Sequence, residues 1–403
     1  MSERRFFEVE GFDFLARITL GAAPYRLSEV GEVLATIDRI TDGDCDSWFD
    51  EWMATARRAR ESAEECARRG NPVSSRDAYL RAAHYSGSAF FYALSTSDPG
   101  RSLPTWRWHR ECFDRAIDLW PTPVERVAIP YENTALHGYF WSGGGGRRPT
   151  LILNNGSDGP VSDMLEMGAD DAVARGYNAI TFDGPGQGQA LYEQGLFFRH
   201  DWEAVIRPVV DFVLGRDDVD PDRIALAGFS QGGYWVPRAA AFEHRLAAIV
   251  ADPGVVKVRT SWTDHIPAPL MQLLDAGQDA QFDEYLSEGL KEDSMARMTL
   301  VKRMEPYGST SVAAILRELT KWDLTEVANR IACPVLITDP EDEQFWPGQS
   351  EELFNLVDHP ARTLLPFTTA EGANHHCEPL APQLRAQRMF DWLDVQLDIP
   401  HGT

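Results

Sequence analysis

Long apolar runs are missing from this sequence, and no stretch approaches the length of a transmembrane helix. A membrane-spanning role is not expected. Positive charge is scarce: 38 Lys and Arg stand against 62 Asp and Glu, a formal net charge of −24. Nucleic acid and anionic lipid repel such a chain, so neither is an expected partner. Cysteine is scarce too. Five residues (45, 66, 112, 333 and 377) are scattered and odd in number, which suits a reducing compartment better than a disulfide framework. The opening Met-Ser-Glu-Arg-Arg-Phe-Phe lacks the apolar core of a signal peptide. A cytoplasmic location is the expectation. Internal repeats and low-complexity segments are lacking. At 403 residues, 43% of them apolar, the chain has room for one large domain and a smaller unit.

What is present changes character along the chain. The first ~120 residues read as helices. Asp46-Ser47 opens a run with Trp48, Phe49, Trp52, Met53, Ala56 and Ala63 at spacings of three to four, closed by Gly70-Asn-Pro72. Ser74 with Asp77 reads as a capping box for a second helix, with Leu80, Ala83, Phe90 and Ala93 on its apolar side. A third runs from about Pro104 to Leu119. After Trp120-Pro-Thr-Pro123 the period shortens. Val124–Ile129 and Leu136–Trp141 read as two antiparallel strands. Strands near 150–153, 178–182, 224–227 and 247–251 then alternate with helices near 162–174, 202–215 and 234–242. Such alternation predicts a mostly parallel sheet with helices on both faces. Residues 255–327 interrupt it with helical spacings, where a lid would sit.

The most informative stretch is Gly228-Phe-Ser-Gln-Gly232. It reads G-x-S-x-G, with the apolar strand Ile224–Ala227 before it and a helix after it. A sharp strand-to-helix turn thrusts a serine out of the sheet, and a Cβ at the flanking positions would clash. Ser230 is the candidate nucleophile.

A nucleophilic serine needs a base and an acid. Near the end of the chain, Glu371-Gly-Ala-Asn-His-His-Cys-Glu378 offers His375 and His376, of which one can be the base. No metal-type carboxylate–histidine spacing accompanies the pair, so no metal is expected. Pro334-Val-Leu-Ile-Thr-Asp-Pro-Glu-Asp-Glu is a short buried strand entering an acidic turn, with Asp339, Glu341, Asp342 and Glu343 as candidate acids. Asp183-Gly-Pro-Gly-Gln-Gly188 lacks the Lys-Ser or Lys-Thr of a phosphate-binding loop.

Taken together, these segments resemble the α/β-hydrolase superfamily across roughly 124–403. More narrowly, the chain resembles the group with an N-terminal helical domain that contains 2,6-dihydroxypseudooxynicotine hydrolase and the fungal polyketide chain-shortening hydrolases. Ser47-Trp-Phe-Asp-Glu-Trp52, Ala78–Ala83, Asp183–Gly188, Gly228–Gly233, His376-Cys377 and Phe390-Asp-Trp392 carry that likeness. The resemblance implies an N-terminal helical domain over 1–123 and an α/β-hydrolase domain over 124–403, with a lid insertion at about 255–327. It implies His376, directly before the cysteine, as the base. It implies an acid at the tenth position counted from Pro334, which is Glu343 in place of the usual aspartate. The oxyanion donors would be the Gln231 amide and Gly156 or Ser157, where Asn154-Asn155 replaces a common His-Gly-Gly. The implied activity is cofactor-free hydrolysis of a carbon–carbon bond next to a ketone, or of an ester. An acyltransferase or cyclase on the same residues is the alternative within enzymes, and a small-molecule binding protein the one outside. A homodimer is the implied assembly.

The dense aromatic residues of the N-terminal helices predict that they roof the site. The expected partner is a small molecule with an aromatic or extended apolar part and few charged contacts. His84, Tyr85 and Trp235 are the expected substrate contacts.

Overall fold

The computed structural model describes residues 5–291 and 294–399. The first four residues, part of the polar start noted above, and two residues of the lid region lie outside the described residues.

Eight strands build one sheet: β1 (Val124–Tyr131), β2 (Thr134–Trp141), β3 (Arg148–Asn154), β4 (Asn178–Phe182), β5 (Val219–Phe229), β6 (Ala248–Asp252), β7 (Val335–Pro340) and β8 (Arg362–Phe367). Their order is β1-β2-β4-β3-β5-β6-β7-β8. Both pairings made by β2 are antiparallel, and the others are parallel. The middle strands are unbroken apolar runs because both of their faces are covered. Leu151, Ile152 and Leu153 on β3 are fully buried, as are Ile224 through Ala227 on β5.

One face is covered by Glu203–Leu214, Gly232–Ala240 and Gln349–Leu356, which pack on Ile152, Leu226 and Ile249. The other face carries Leu151, Leu153, Ala225 and Ala227. These share a single apolar core with the C-terminal helix Pro382–Gln396 and with the N-terminal helices. The helical unit therefore has no core of its own separate from the sheet. Among the described residues its α-helices are Glu10–Gly21, Val30–Ile37, Cys45–Arg68, Pro72–Phe91 and Ser102–Asp118. Ion pairs across the seam, such as Arg110 to Asp183 at 3.0 Å, add orientation.

Local chemistry sets the helix ends, in two places differently from the sequence reading. The long helix starts at Cys45 because the Asp44 carboxylate accepts from the amides of Asp46 (2.9 Å) and Ser47 (3.2 Å). The next starts at Pro72, which needs no donor at the first helical position. Ser74 and Asp77 thus lie inside the helix and form no capping box. The expected helix at 162–174 is broken into a 3₁₀ turn (Val161–Met164), a wide turn (Leu165–Ala169) and a short helix (Asp170–Ala174). Gly168, at φ 139°, makes the break, in a conformation that a side chain would strain.

Between β6 and β7 the chain forms Ala268–Asp275, Asp279–Gly289, Ser294–Met304 and Val312–Glu318. This insertion reaches the N-terminal helices. Lys302 lies 4.4 Å above the ring of Phe90, and Ser95 donates to the Met298 carbonyl. Among the described residues no helix is long and apolar enough to cross a membrane.

Candidate active site

β5 ends at Phe229, and Ser230 follows at φ +56°, a left-handed conformation rare for a side-chain-bearing residue. The turn is so tight that a Cβ on Gly228 would sit 2.4 Å from the Gly232 carbonyl oxygen. The strain is held in place by neighbours. The Ser230 amide donates to the Asp252 carbonyl at the end of β6 (2.7 Å) and also meets Cys377 Sγ (3.2 Å).

The loop after β8 brings the paired histidines to this turn. His376 Nε2 stands 2.8 Å from Ser230 Oγ, and His376 Nδ1 stands 2.9 and 2.8 Å from the two carboxylate oxygens of Glu343. A carboxylate can only accept, so the imidazole proton sits on Nδ1 and leaves Nε2 as the acceptor for the serine hydroxyl. Both side chains are about 95% buried. Burial alone would raise the Glu343 carboxyl. The adjacent His376 and the amides of Phe345 and Trp346 outweigh it and hold the group below the usual carboxylate range. His375 meets Gln344 instead, which in turn accepts from the His376 amide. Asp342 accepts from the Asn374 side chain (2.7 Å) and so ties down the histidine loop, while Glu341 accepts from the Thr369 amide.

The loop after β3 comes against Ser230. A Cβ on Gly156 would lie 2.8 Å from Ser230 Cβ, so only glycine lets the backbone approach this closely. The Gly156 amide donates to Asn155 Oδ1 (2.7 Å), and the Ser157 hydroxyl donates to Asp158 (2.5 Å). The loop is braced by Gln187, whose side-chain amide donates to the Asn155 (2.9 Å) and Gly156 (2.7 Å) carbonyls. Gln187 belongs to the Gly-rich turn 183–188, whose part in the site the sequence reading missed.

A cavity of about 240 Å³ opens above Ser230. Gln231, Gly156, Ser157, Ser230 and His376 line it, and so does His84. Both ring nitrogens of His84 are buried without a hydrogen bond, with Asp163 Oδ1 3.2 Å from Nδ1. Three expectations need correction. Tyr85 is not in the wall. It is buried in the helical core, stacked on Trp52, with its hydroxyl donating to Glu32 and accepting from the Glu29 amide. Trp235 is not in the wall either. The helix after Ser230 packs on the far face of the sheet, where Trp235 stacks on Trp202 at 4.2 Å. The wall is also not poor in charge, since Asp163, Glu166, Lys302, Arg303 and Arg385 all reach it. The first helix supplies Phe14, Leu15 and Ile18, residues the sequence reading did not single out. Their sequence signal was the apolar spacing Phe12, Leu15, Ala16. Among the described residues no three metal-ligating side chains gather at one point.

The fold and site define a class, and comparison with known proteins agrees with it. Residues 135–392 match the alpha/beta hydrolase family, and the chain belongs to that family. Hydrolase acrC of Aspergillus aculeatus is 30% identical over 426 aligned residues, covering 99% of both chains. Hydrolyase ccsE of Aspergillus clavatus is 31% identical, covering 95% of each. Among solved structures, 2,6-dihydroxy-pseudo-oxynicotine hydrolase shares the fold with a TM-score of 0.73 at 21% identity, covering 94% of this chain and 96% of that one. The protein is an enzyme with hydrolase activity.

Proposed function

We propose that this enzyme is a cofactor-independent serine hydrolase. It cleaves a carbon–carbon bond next to a ketone, or an ester, in an aromatic or polyketide-like small molecule through an acyl-enzyme. One observation carries the reading: the unbroken line Ser230–His376–Glu343, at 2.8 and 2.8 Å, in the floor of a largely apolar cavity. Ser230 Oγ attacks the substrate carbonyl while His376 Nε2 takes its proton. Glu343 holds the imidazole tautomer and stabilises the imidazolium. The Gln231 and Ser157 amides receive the developing oxyanion, the Gly156 amide being taken up by Asn155. The imidazolium then protonates the departing alkoxide, or the carbanion or enolate of a ketone, and water releases the acyl group. His84 gives the substrate a polar contact. The fungal relatives and the dihydroxy-pseudo-oxynicotine hydrolase fold support the small-molecule reading. The five unpaired cysteines suit a reducing compartment.

The test is covalent labelling. A fluorophosphonate should modify the wild-type protein stoichiometrically at Ser230 and leave Ser230→Ala unlabelled. With ester and polyketone substrates in water-18, the acid product should carry one heavy oxygen. Equal turnover by Ser230→Ala would overturn the reading.

A further inference from the structure

Next to the nucleophile, one part of the cavity wall offers hydrogen-bond donors with nothing to receive them. Gln231 Nε2, Trp262 Nε1 and the Tyr307 hydroxyl are buried and make no hydrogen bond. All three residues line the cavity, together with Arg303. They converge: Gln231 and Trp262 both lie near the Tyr307 hydroxyl and act on it as donors, so the cluster holds no acceptor besides that one oxygen. The Trp262 and Tyr307 rings meet edge to face at 5.5 Å. The Arg303 guanidinium lies 4.4 Å above the Trp262 ring and is aimed by two bonds, to the Ser261 carbonyl (3.0 Å) and hydroxyl (2.9 Å).

Arg303 differs from its neighbours in lacking a carboxylate. Lys302, one residue earlier, has Glu305 at 3.4 Å and the Tyr192 hydroxyl at 3.2 Å. Arg199, Arg238 and Arg245 each have an acid within 3 Å. Among the described residues no carboxylate lies within 4 Å of Arg303. Asp158 across the cavity exerts only a longer-range pull and is already bonded to Ser157. Burying donors without acceptors is unfavourable, and three of them gathered with a carboxylate-free arginine beside a nucleophile form a wall shaped for a ligand that only accepts. An arginine fork matches two oxygens that share a negative charge.

We propose that Arg303, Tyr307, Trp262 and Gln231 form a subsite for a delocalised oxyanion on the substrate, either a carboxylate or the enolate of a 1,3-dicarbonyl. It rests on Ser230 as nucleophile only in saying which carbonyl lies beside the subsite. Binding by this wall places the anionic end of the substrate at the lid and presents the neighbouring carbonyl carbon to Ser230. The apolar remainder lies against Phe14, Leu15 and Ile18.

Equilibrium binding tests it without turnover. Three probes are titrated into Ser230→Ala: 4-phenylbutyrate, benzoylacetone at a pH where it is the enolate, and the neutral ketone 4-phenyl-2-butanone. At least one of the first two should bind tenfold or more tightly than the neutral ketone, and which of them does identifies the anion. Adding Arg303→Met should erase that preference while leaving the neutral ketone unchanged. Tyr307→Phe removes one oxygen and serves as the fold-preserving control, with a threefold or greater loss confined to the anionic probe. The proposal is overturned if neither anion outbinds the ketone, or if Arg303→Met and Tyr307→Phe affect all three probes alike. Fluorophosphonate labelling of the wild type reports the nucleophile separately, so failure of the subsite and failure of the hydrolase reading give different results.

Discussion

Replacing Glu343 with glutamine changes one atom and should nearly silence the enzyme. Glu343 Oε1 accepts from the amides of Phe345 (2.9 Å) and Trp346 (3.1 Å). In the variant those two donors retain the amide oxygen as their acceptor. The new NH₂ must then occupy the place of Oε2, 2.8 Å from His376 Nδ1. Oε1 still offers Nδ1–H an acceptor at 2.9 Å, but the NH₂ is a second donor facing the same nitrogen, which shifts the imidazole toward the tautomer with its proton on Nε2. Nε2 then donates to Ser230 Oγ and cannot take the serine proton. Loss of the correct tautomer in a serine triad lowers the rate about 10⁴-fold, ~5.4 kcal/mol of transition-state stabilisation. The assay is pre-steady-state release of 4-nitrophenol from an ester, paired with the rate of fluorophosphonate labelling and a melting curve. Both rates should fall together while Tm stays within a few degrees. Asp342→Asn, which touches Asn374 and not the imidazole, should remain within tenfold of wild type. A Glu343→Gln enzyme within tenfold of wild type, or an Asp342→Asn loss just as deep, would refute the reasoning.

Trp235→Ala removes a fully buried ring from the far face of the sheet. It should lower unfolding stability by about 3–5 kcal/mol in urea, with KM unchanged for the folded fraction. A raised KM with unchanged stability would return Trp235 to the site. Tyr85→Phe should forfeit ~1 kcal/mol of stability and leave the kinetics alone, since the lost hydroxyl serves Glu29 and Glu32. Burial, reinforced by Asp163 and opposed by His84 and Arg385, raises the Glu166 carboxyl from 4.5 to about 7. The folded state therefore binds that proton more tightly than the unfolded state, and the associated stability is lost as pH rises from about 4.5 through 7. Glu166→Gln should melt higher than wild type at pH 8, with the gap closing toward pH 4.5. A variant that melts no higher than wild type at pH 8 counts against it.

The sheet was legible because each of its signals is local. Continuous apolar runs such as Leu151–Leu153 identify strands covered on both faces, and the glycines around Ser230 identify a turn too tight for a side chain. The helix starting at Pro72 was misread because two capping signals competed, and the proline two residues ahead of Ser74 won. Gly168 broke a helix whose apolar spacing alone looked continuous. Trp235 was misplaced because apolar character says that a residue is buried but not on which face of a sheet. Lys302 and Arg303 are adjacent cations in the lid, and nothing in the sequence separates them. Only the folded chain shows that one is paired and the other faces the cavity. Gln187 was hidden for a similar reason: its bonds go to carbonyls more than 30 residues away.

The first helix presents two rings to two different neighbours. Phe12 packs on Trp48 at 4.5 Å, whereas Phe14 meets Phe345 at 5.8 Å and the His376 ring at 6.2 Å. During synthesis the partners of Phe12 arrive almost at once, but those of Phe14 are separated from it by most of the polypeptide. At ribosomal speeds of 5–20 residues per second, Phe14 waits roughly 20–70 s for the histidine it will cover. Throughout that interval the helical unit can anchor Phe12 while showing an apolar face to the cell. The nascent chain thus keeps this apolar face open to chaperones and proteases until the histidine loop emerges. Gain of activity in a timed translation reaction would mark the moment when that loop closes over the helix.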